Sequence, residues 1–329
     1  MRQRPLGRGR RADLVRATIA GACIVLALAL LIELRPGPSS GAQPTPTPTC
    51  VPVTPEPLTS PAPLRLELPD VTAEAAVVID GNTGRVLGGK NEHEPRPPAS
   101  TTKILTAIVA LERASPDDIV TIDFDPRPTP DSSLFGLWPG AVVTMRDLLY
   151  GLMLPSGNDA AVAIARHVAG SEAAFVDLMN SKLAELGLHD SHFTNPHGLD
   201  DPNLYASAYD LAQLARYGLA KPEFAAIVGA RTWYARSLDM EIENGNRLLW
   251  TYPGATGVKM GWTESAGETL VASAERDGRR VIVALLGSLD RNADGATLLD
   301  WGFAQRAYLK PGEPDPVPSP VSGCVAPAS

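Results

Sequence analysis

Ser100 and Lys103 stand three positions apart in the stretch PPASTTKILTAIVALE, residues 97–112. On a helix that spacing puts both side chains on one face, where hydroxyl and amine can meet. An amine that is partly desolvated and close to another cation has its pKa pushed down until it can take a proton from serine. The chemistry on offer is then nucleophilic acyl transfer. The plainer reading is that Ser100 caps the helix, as Ser and Thr before an apolar run commonly do. Lys103 suits a cap badly, because a capping box wants Glu or Gln at the third position and a cation in the first turn opposes the helix dipole. We expect Ser100 to be cap and nucleophile at once, with Lys103 as its base.

Two other stretches could complete such a centre. PSGND puts Ser156, Gly157 and Asn158 on a loop between two helical segments, and GVKMGWT puts Lys259, Met260 and Gly261 on a strand. Singly, each has a structural explanation: Ser156 and Asn158 as caps of the next helix, Lys259 as a solvated charge. His189, His192 and His197, with Asp190 and Asp200, form a local group without the H-E-x-x-H spacing of a zinc peptidase. They follow Gly187 in turn-rich sequence and read as solvated loop histidines, so no metal is expected. The chain holds no G-x-G-x-x-G or G-x-x-x-x-G-K-S/T phosphate loop, and no cofactor is expected.

The elements that must position these residues follow from pattern. AAVVID, a GNTG turn and RVLGGKN form a hairpin at the start of the domain. Helices are expected after Thr144, over NDAAVAIARHVA with a stop at Gly170, from Ser171 to Gly187, and after Ser207, where Asp210 stands at capping-box spacing. Beyond residue 250 the character is β. GATGVKMGWT reads as a strand, ETLVASAERDGRRVIVALLG as two strands joined at Asp277-Gly278, and ADGATLLDWGFAQRA as a closing helix. The order implies an α/β (α+β) fold: one antiparallel sheet assembled from both chain ends, flanked by helices, with an all-helical insertion.

Taken together, S-x-x-K, S-x-N and K-x-G with their flanks resemble the three-motif set of the penicillin-binding, serine-type D-Ala-D-Ala carboxypeptidases. The likeness runs through PPASTTK, LLYGLMLPSGNDAA, NPHGLDD, SAYDLA, RLLWTYPGATGVKMGWTESAG and LLDWGF, over about residues 70–305, and is greatest with the low-molecular-mass branch, peptidase family S11. It implies a β-lactamase/transpeptidase-like fold with an all-helical subdomain. It also implies that Ser100 attacks the penultimate D-Ala carbonyl, that Lys103 is its base and that Ser156 relays the proton to the leaving amine. Asn158 would hold a substrate amide, and Lys259 would supply positive charge. The N–H groups of Ser100 and Trp262 would form the oxyanion hole, with Gly261 and Thr263 lining the strand and Arg291 binding the terminal carboxylate. The expected partner is a peptidoglycan stem pentapeptide, with β-lactams as covalent inhibitors.

Met260 departs from that pattern, which has Thr or Ser there. A thioether donates no hydrogen bond, so a weakened or altered carboxylate site is expected. A class A β-lactamase would need E-x-x-L-N between the second and third motifs, and none occurs, so penicillin should acylate Ser100 and leave slowly. The competing readings are a DD-endopeptidase and a peptidoglycan-binding protein that no longer turns over.

Composition bounds the rest. The 329 residues are 44% apolar, enough for a substantial core. Seven Arg against Asp13 and Glu33 leave residues 1–35 at +5, so the remainder carries −13, an acidic body that argues against nucleic acid. The basic start runs into Ala17–Ile32, sixteen nearly apolar residues that read as a signal or anchor, with the following chain exported to the outer face of the membrane or, if cleaved, to the wall space. Residues 36–65 form a proline-rich linker and 311–329 a proline-rich tail, leaving the catalytic domain at 66–310. Cys50 and Cys324 lie in those proline-rich segments, where pairing and free thiols both remain open.

Overall fold

The computed structural model describes residues 66–127 and 132–305; the leader, linker and C-terminal tail expected from sequence lie outside them. The described chain enters through β1 (Ala75–Asp80) and β2 (Val86–Lys90), a hairpin whose turn is pinned by Asp80. Its Oδ1 accepts from the N–H of Asn82 and of Thr83 at 2.8 and 3.0 Å. A 3₁₀ turn, Ala99–Thr102, runs straight into α1 (Lys103–Arg113). A short ribbon of β3 (Ile119–Thr121) and β4 (Val142–Thr144) precedes α2 (Met145–Met153), α3 (Asn158–Ala169), α4 (Glu172–Leu186), α5 (Ala208–Leu219) and α6 (Pro222–Gly229). A second ribbon, β5 (Thr232–Ala235) with β6 (Met240–Glu243), and the single turn α7 (Leu248–Thr251) lead to β7 (Ala255–Thr263), β8 (Gly267–Arg276) and β9 (Arg279–Ser288). Helix α8 (Arg291–Ala304) closes the domain.

Five strands form one antiparallel sheet in the order β2-β1-β9-β8-β7, so both ends of the domain contribute, as expected. Alternation sorts its side chains into two layers. Val77 and Ile79 of β1 and Ile282 and Ala284 of β9 join a core built with α1 and α5, while Val78, Val281, Val283 and Leu285 pack with Leu298 and Leu299 of α8. Burial on both faces is why VIVALL is a continuous apolar run rather than an alternating one. Each such side chain stabilises by about 1.5–3 kcal/mol. Val283 is wholly buried, and a carboxylate in its place would be an unpaired ion inside the α8 layer.

Local signals hold where their bonds are local. Thr144, Ser171 and Ser207 cap α2, α4 and α5 by accepting from the N–H of Asp147, Ala174 and Asp210. Gly170 and Gly187 end α3 and α4 in the left-handed region. Asp277 and Gly278 both take positive φ, 53° and 73°, the geometry of a two-residue hairpin turn. The insertion between β2 and β7 is chiefly helical, and it also carries the two ribbons, whose three- and four-residue strands are too short to announce themselves by periodicity.

Candidate active site

Ser100 lies within the 3₁₀ turn, and its hydroxyl caps nothing: neither the turn nor α1 has a side-chain cap bond. This corrects the dual reading. The hydroxyl is turned instead to Lys103, the first residue of α1, whose Nζ lies 3.0 Å away. The turn itself is held in an uncommon conformation, since Ala99 has φ +47°. A Cβ on Gly198 would fall 1.9 Å from the Ala99 carbonyl oxygen, so the loop after Pro196 reaches the turn only as glycine.

Lys103 is fully buried. Its amine donates to Asn158 Oδ1 and to the His197 carbonyl, each at 2.6 Å. Burial, and then the nearby Lys259 ammonium, hold its pKa well below the usual lysine range, with Asp159 partly opposing. A neutral amine has two N–H bonds and one lone pair. In that neutral form, with both N–H groups committed to Asn158 and His197, the lone pair would be left to accept from the Ser100 hydroxyl; the charged amine donates to it instead. The first turn of α1 thus contains a lysine whose charge neither the helix end nor its burial favours.

Two segments supply these acceptors. Asn158 opens α3, with Gly157 rather than Ser156 as the cap residue. His197 sits in a loop shaped by Asn195, whose Oδ1 accepts from the N–H of His197 and Gly198, and tied to α1 by the Thr106 hydroxyl donating to the Pro196 carbonyl. His189 and His192 are exposed, as expected, but His197 is not a solvated loop residue. It is buried, and burial followed by the Lys103 charge pushes its pKa down to about 3. Its ring is neutral, and Nδ1 accepts from the Leu199 N–H. Among the described residues no group of three His, Cys, Asp or Glu could hold a metal ion.

Ser156 is buried on the loop between α2 and α3 with φ +68°, a left-handed conformation that costs a non-glycine residue about 1–3 kcal/mol. Its Oγ is buried and makes no hydrogen bond. Lys259, on β7, is buried too. Desolvation first, then Arg291, lowers its pKa to about 7, and its amine donates to the Met260 carbonyl. Neither lysine is hydrogen-bonded to Ser156.

The remaining predicted residues line β7 and its surroundings. A Cβ on Gly261 would lie 2.7 Å from the Ser100 nitrogen and 2.6 Å from Thr269 Oγ1, so β7 passes against the Ser100 turn only because position 261 is glycine. Trp262 follows it, with its side chain 64% exposed. Thr263 is committed elsewhere, its hydroxyl donating to Asp200 Oδ1 at 2.7 Å. Arg291, the first residue of α8, donates to the Gly261 carbonyl at 3.0 Å and pairs with Glu268. Met260 turns its methyl group onto Gly245, where a Cβ would stand 2.5 Å from it.

Sequence reasoning misses two contributors. The His197 carbonyl leaves no side-chain signature, although NPHGLDD is part of the resemblance. Asp159 stands in view within PSGND, and its part emerges only from the loop it holds.

What a lone pair aimed at a serine hydroxyl can do to a carbonyl substrate is help form a serine ester, so the fold and the site together define a serine hydrolase of the acyl-transfer type. A profile of the D-alanyl-D-alanine carboxypeptidases, peptidase family S11, matches residues 62–289. D-alanyl-D-alanine carboxypeptidase DacD of Salmonella typhimurium is 41% identical over 263 residues, covering 74% of this chain and 67% of the relative. DacB2 of Mycobacterium tuberculosis is 39% identical over 247 residues, covering 72% and 84%. Among solved structures, the Mycobacterium tuberculosis D-alanyl-D-alanine carboxypeptidase superposes with a TM-score of 0.68 at 37% identity, covering 74% of this chain and 95% of that one. The Streptomyces K15 DD-transpeptidase gives 0.68 at 32%, covering 72% and 99%. The chain belongs to the D-alanyl-D-alanine carboxypeptidase family of serine peptidases.

Proposed function

We propose that the chain removes the terminal D-Ala of peptidoglycan stem pentapeptides through an acyl-enzyme on Ser100. The observation that carries the assignment is the set of three contacts at Lys103 Nζ, two short bonds that use its N–H groups and the 3.0 Å approach to Ser100 Oγ. Lys103 takes the hydroxyl proton as Oγ attacks the penultimate D-Ala carbonyl. The N–H groups of Ser100 and Trp262 stabilise the oxyanion, each donor being worth roughly 3 kcal/mol of barrier. As the tetrahedral adduct collapses, the C–N bond breaks, and the proton passes through Ser156 to the amine of the departing D-Ala. The unpartnered, buried Ser156 Oγ supports this reading, since a strained loop carrying an unmatched hydroxyl awaits a substrate group. Water then attacks the ester, delivering a proton back to Ser100 and freeing the shortened peptide. Lys259, Arg291 and the Thr263 end of β7 form the pole that receives the substrate carboxylate.

Penicillin enters the same route and leaves slowly, because the amine freed when its ring opens stays tethered to the acyl group and no E-x-x-L-N glutamate stands between the second and third motifs to activate water. The proposal extends to location: the basic, then apolar, residues 1–35 direct export and place the domain at the outer face of the membrane. No helix among the described residues is long and apolar enough to cross a membrane.

The test is D-alanine release from a muramyl pentapeptide analogue, with and without an added amine acceptor. Release of one D-Ala per peptide supports the assignment. Cleavage confined to cross-linked dimers would make the protein an endopeptidase, and no turnover with intact penicillin labelling would make it a binding protein.

A further inference from the structure

Asp159 directly follows Asn158 in α3 and is fully buried, yet none of the proton transfers above passes through it. Its carboxylate accepts four backbone N–H bonds. Oδ1 takes those of Phe135 and Ala160 at 2.7 and 2.9 Å, and Oδ2 takes those of Gly136 and Leu137, both at 2.8 Å. Three of the four donors belong to one loop, residues 135–137. The neighbouring N–H of Asn158 donates to the Ser133 carbonyl of the same loop at 2.8 Å.

The seat for this loop is shaped by glycines. A Cβ on Gly151 would fall 2.3 Å from the Phe135 ring, and one on Gly157 would fall 2.8 Å from Phe135 Cβ. The Phe135 side chain is thus lodged against α2 and the Ser156 turn, while Leu134 and Trp138 on either side of it are 38% and 53% exposed. The same α3 turn therefore holds Lys103 through Asn158 and the loop through Asp159.

We propose that Asp159 is a positioning residue for the Ser100 reaction: its carboxylate clamps the 133–138 loop as a wall of the cleft and keeps Asn158 aligned on Lys103. The same carboxylate also acts on the base, since its negative charge opposes the two causes that lower the Lys103 pKa. Loop clamp and base tuning are two effects of one charge, and they can be separated.

The inference rests on Ser100 being the nucleophile, so labelled penicillin is first reacted with the native enzyme; failure there overturns the functional assignment rather than this one. With Asp159→Asn the amide keeps one acceptor and turns an NH₂ toward backbone donors. Acylation should slow at least ~10-fold, a loss typical of a displaced catalytic group, and the acidic limb of its pH profile should move to lower pH, because the charge that favours protonated Lys103 is gone. Asp159→Glu keeps the charge and should leave that limb in place while still slowing acylation. Phe135→Ala, which loosens the loop without touching charge, should raise KM more than it lowers kcat, with an unmoved limb. A folded Asp159→Asn enzyme with a native rate and an unmoved limb would overturn the proposal. Amide exchange in the native protein gives a readout that needs no variant. Phe135, Gly136 and Leu137 should be protected as strongly as α3, and exchange at free-loop rates would refute the clamp.

Discussion

The amine of Lys103 stands 3.0 Å from the hydroxyl of Ser100, with both of its other hydrogen-bonding directions filled by oxygen acceptors at 2.6 Å. Arginine at 103 would keep the positive charge and lose the lone pair, since a guanidinium does not deprotonate in proteins. Lys103→Arg should lower the rate of penicillin acylation by roughly 10²–10⁴, the range for a positioned general base. Lys103→Ala should do no better. Rates of labelled-penicillin incorporation check this, with Ser100→Ala as the variant that takes no label at all.

Two lysines with lowered pKa values predict a bell-shaped pH dependence. Lys103 must be neutral, so activity is lost as pH falls through its depressed value. Lys259 must be charged, so activity falls as pH rises through about 7. Lys259→Arg keeps the charge at high pH and should abolish the alkaline fall, at a cost in the maximum. Profiles of kcat/KM from about pH 4 to 10 for the two enzymes decide the point, and an alkaline limb unmoved by the substitution would remove Lys259 from this role.

Gly261 sets how closely β7 approaches Ser100. An alanine there must displace either the Ser100 nitrogen or Thr269, with contacts of 2.7 and 2.6 Å to relieve. Gly261→Ala should cost more than ~100-fold in kcat/KM, in line with the loss of an oxyanion donor. The melting temperature should move by only a few degrees.

Met260 packs its methyl group on Gly245 and offers the substrate carboxylate no donor. Met260→Thr should raise kcat/KM on D-Ala-D-Ala substrates by at least about 10-fold, given roughly 1.5–3 kcal/mol for a hydrogen bond to a charged group. Steady-state kinetics on the pentapeptide analogue tests it. A fall in activity would mean that the thioether shapes the site rather than impairs it.

Away from the site, Glu112 accepts from the Tyr217 hydroxyl and pairs with Lys182 and Lys221 at 2.8 and 2.9 Å. Burial raises its pKa, but the bonds from Lys182, Tyr217 and Lys221 outweigh it and bring the value to about 2. A depressed folded pKa stabilises above the ordinary carboxyl range, and that stability drains away as pH falls from about 4.5 toward 2. Glu112→Gln should therefore melt several degrees below native at neutral pH, and the gap should close near about pH 2–3 in thermal scans.

Much of this molecule is legible in sequence because many of its deciding interactions are short-range. The caps at Thr144, Ser171 and Ser207 act on the residue three positions later, and Asp277-Gly278 needs only its own φ values. Ser100 and Lys103 are legible for the same reason, being one turn apart. The reading fails where a residue's fate is decided by distant chain. Ser100 reads in sequence as cap and nucleophile at once, and the intervening 3₁₀ turn removes the cap half of that reading, leaving the hydroxyl beside the amine. His197 reads as a solvated residue, and the loop folds it beneath α1. Asp159 carries no signal beyond its neighbours in PSGND.

By itself, then, the sequence supplied Ser100 and Lys103 as a candidate nucleophile and base, the strands of the main sheet with most of the longer helices, and the peptidase resemblance, all carried by local spacing or by motif. Only the tertiary structure decided the state of that base. Asn158 and His197 lie 55 and 94 positions from Lys103, and the Lys259 charge comes from a strand on the far side of the insertion. An amine becomes a base at neutral pH through burial and through what surrounds it, and those neighbours exist only once the chain has closed.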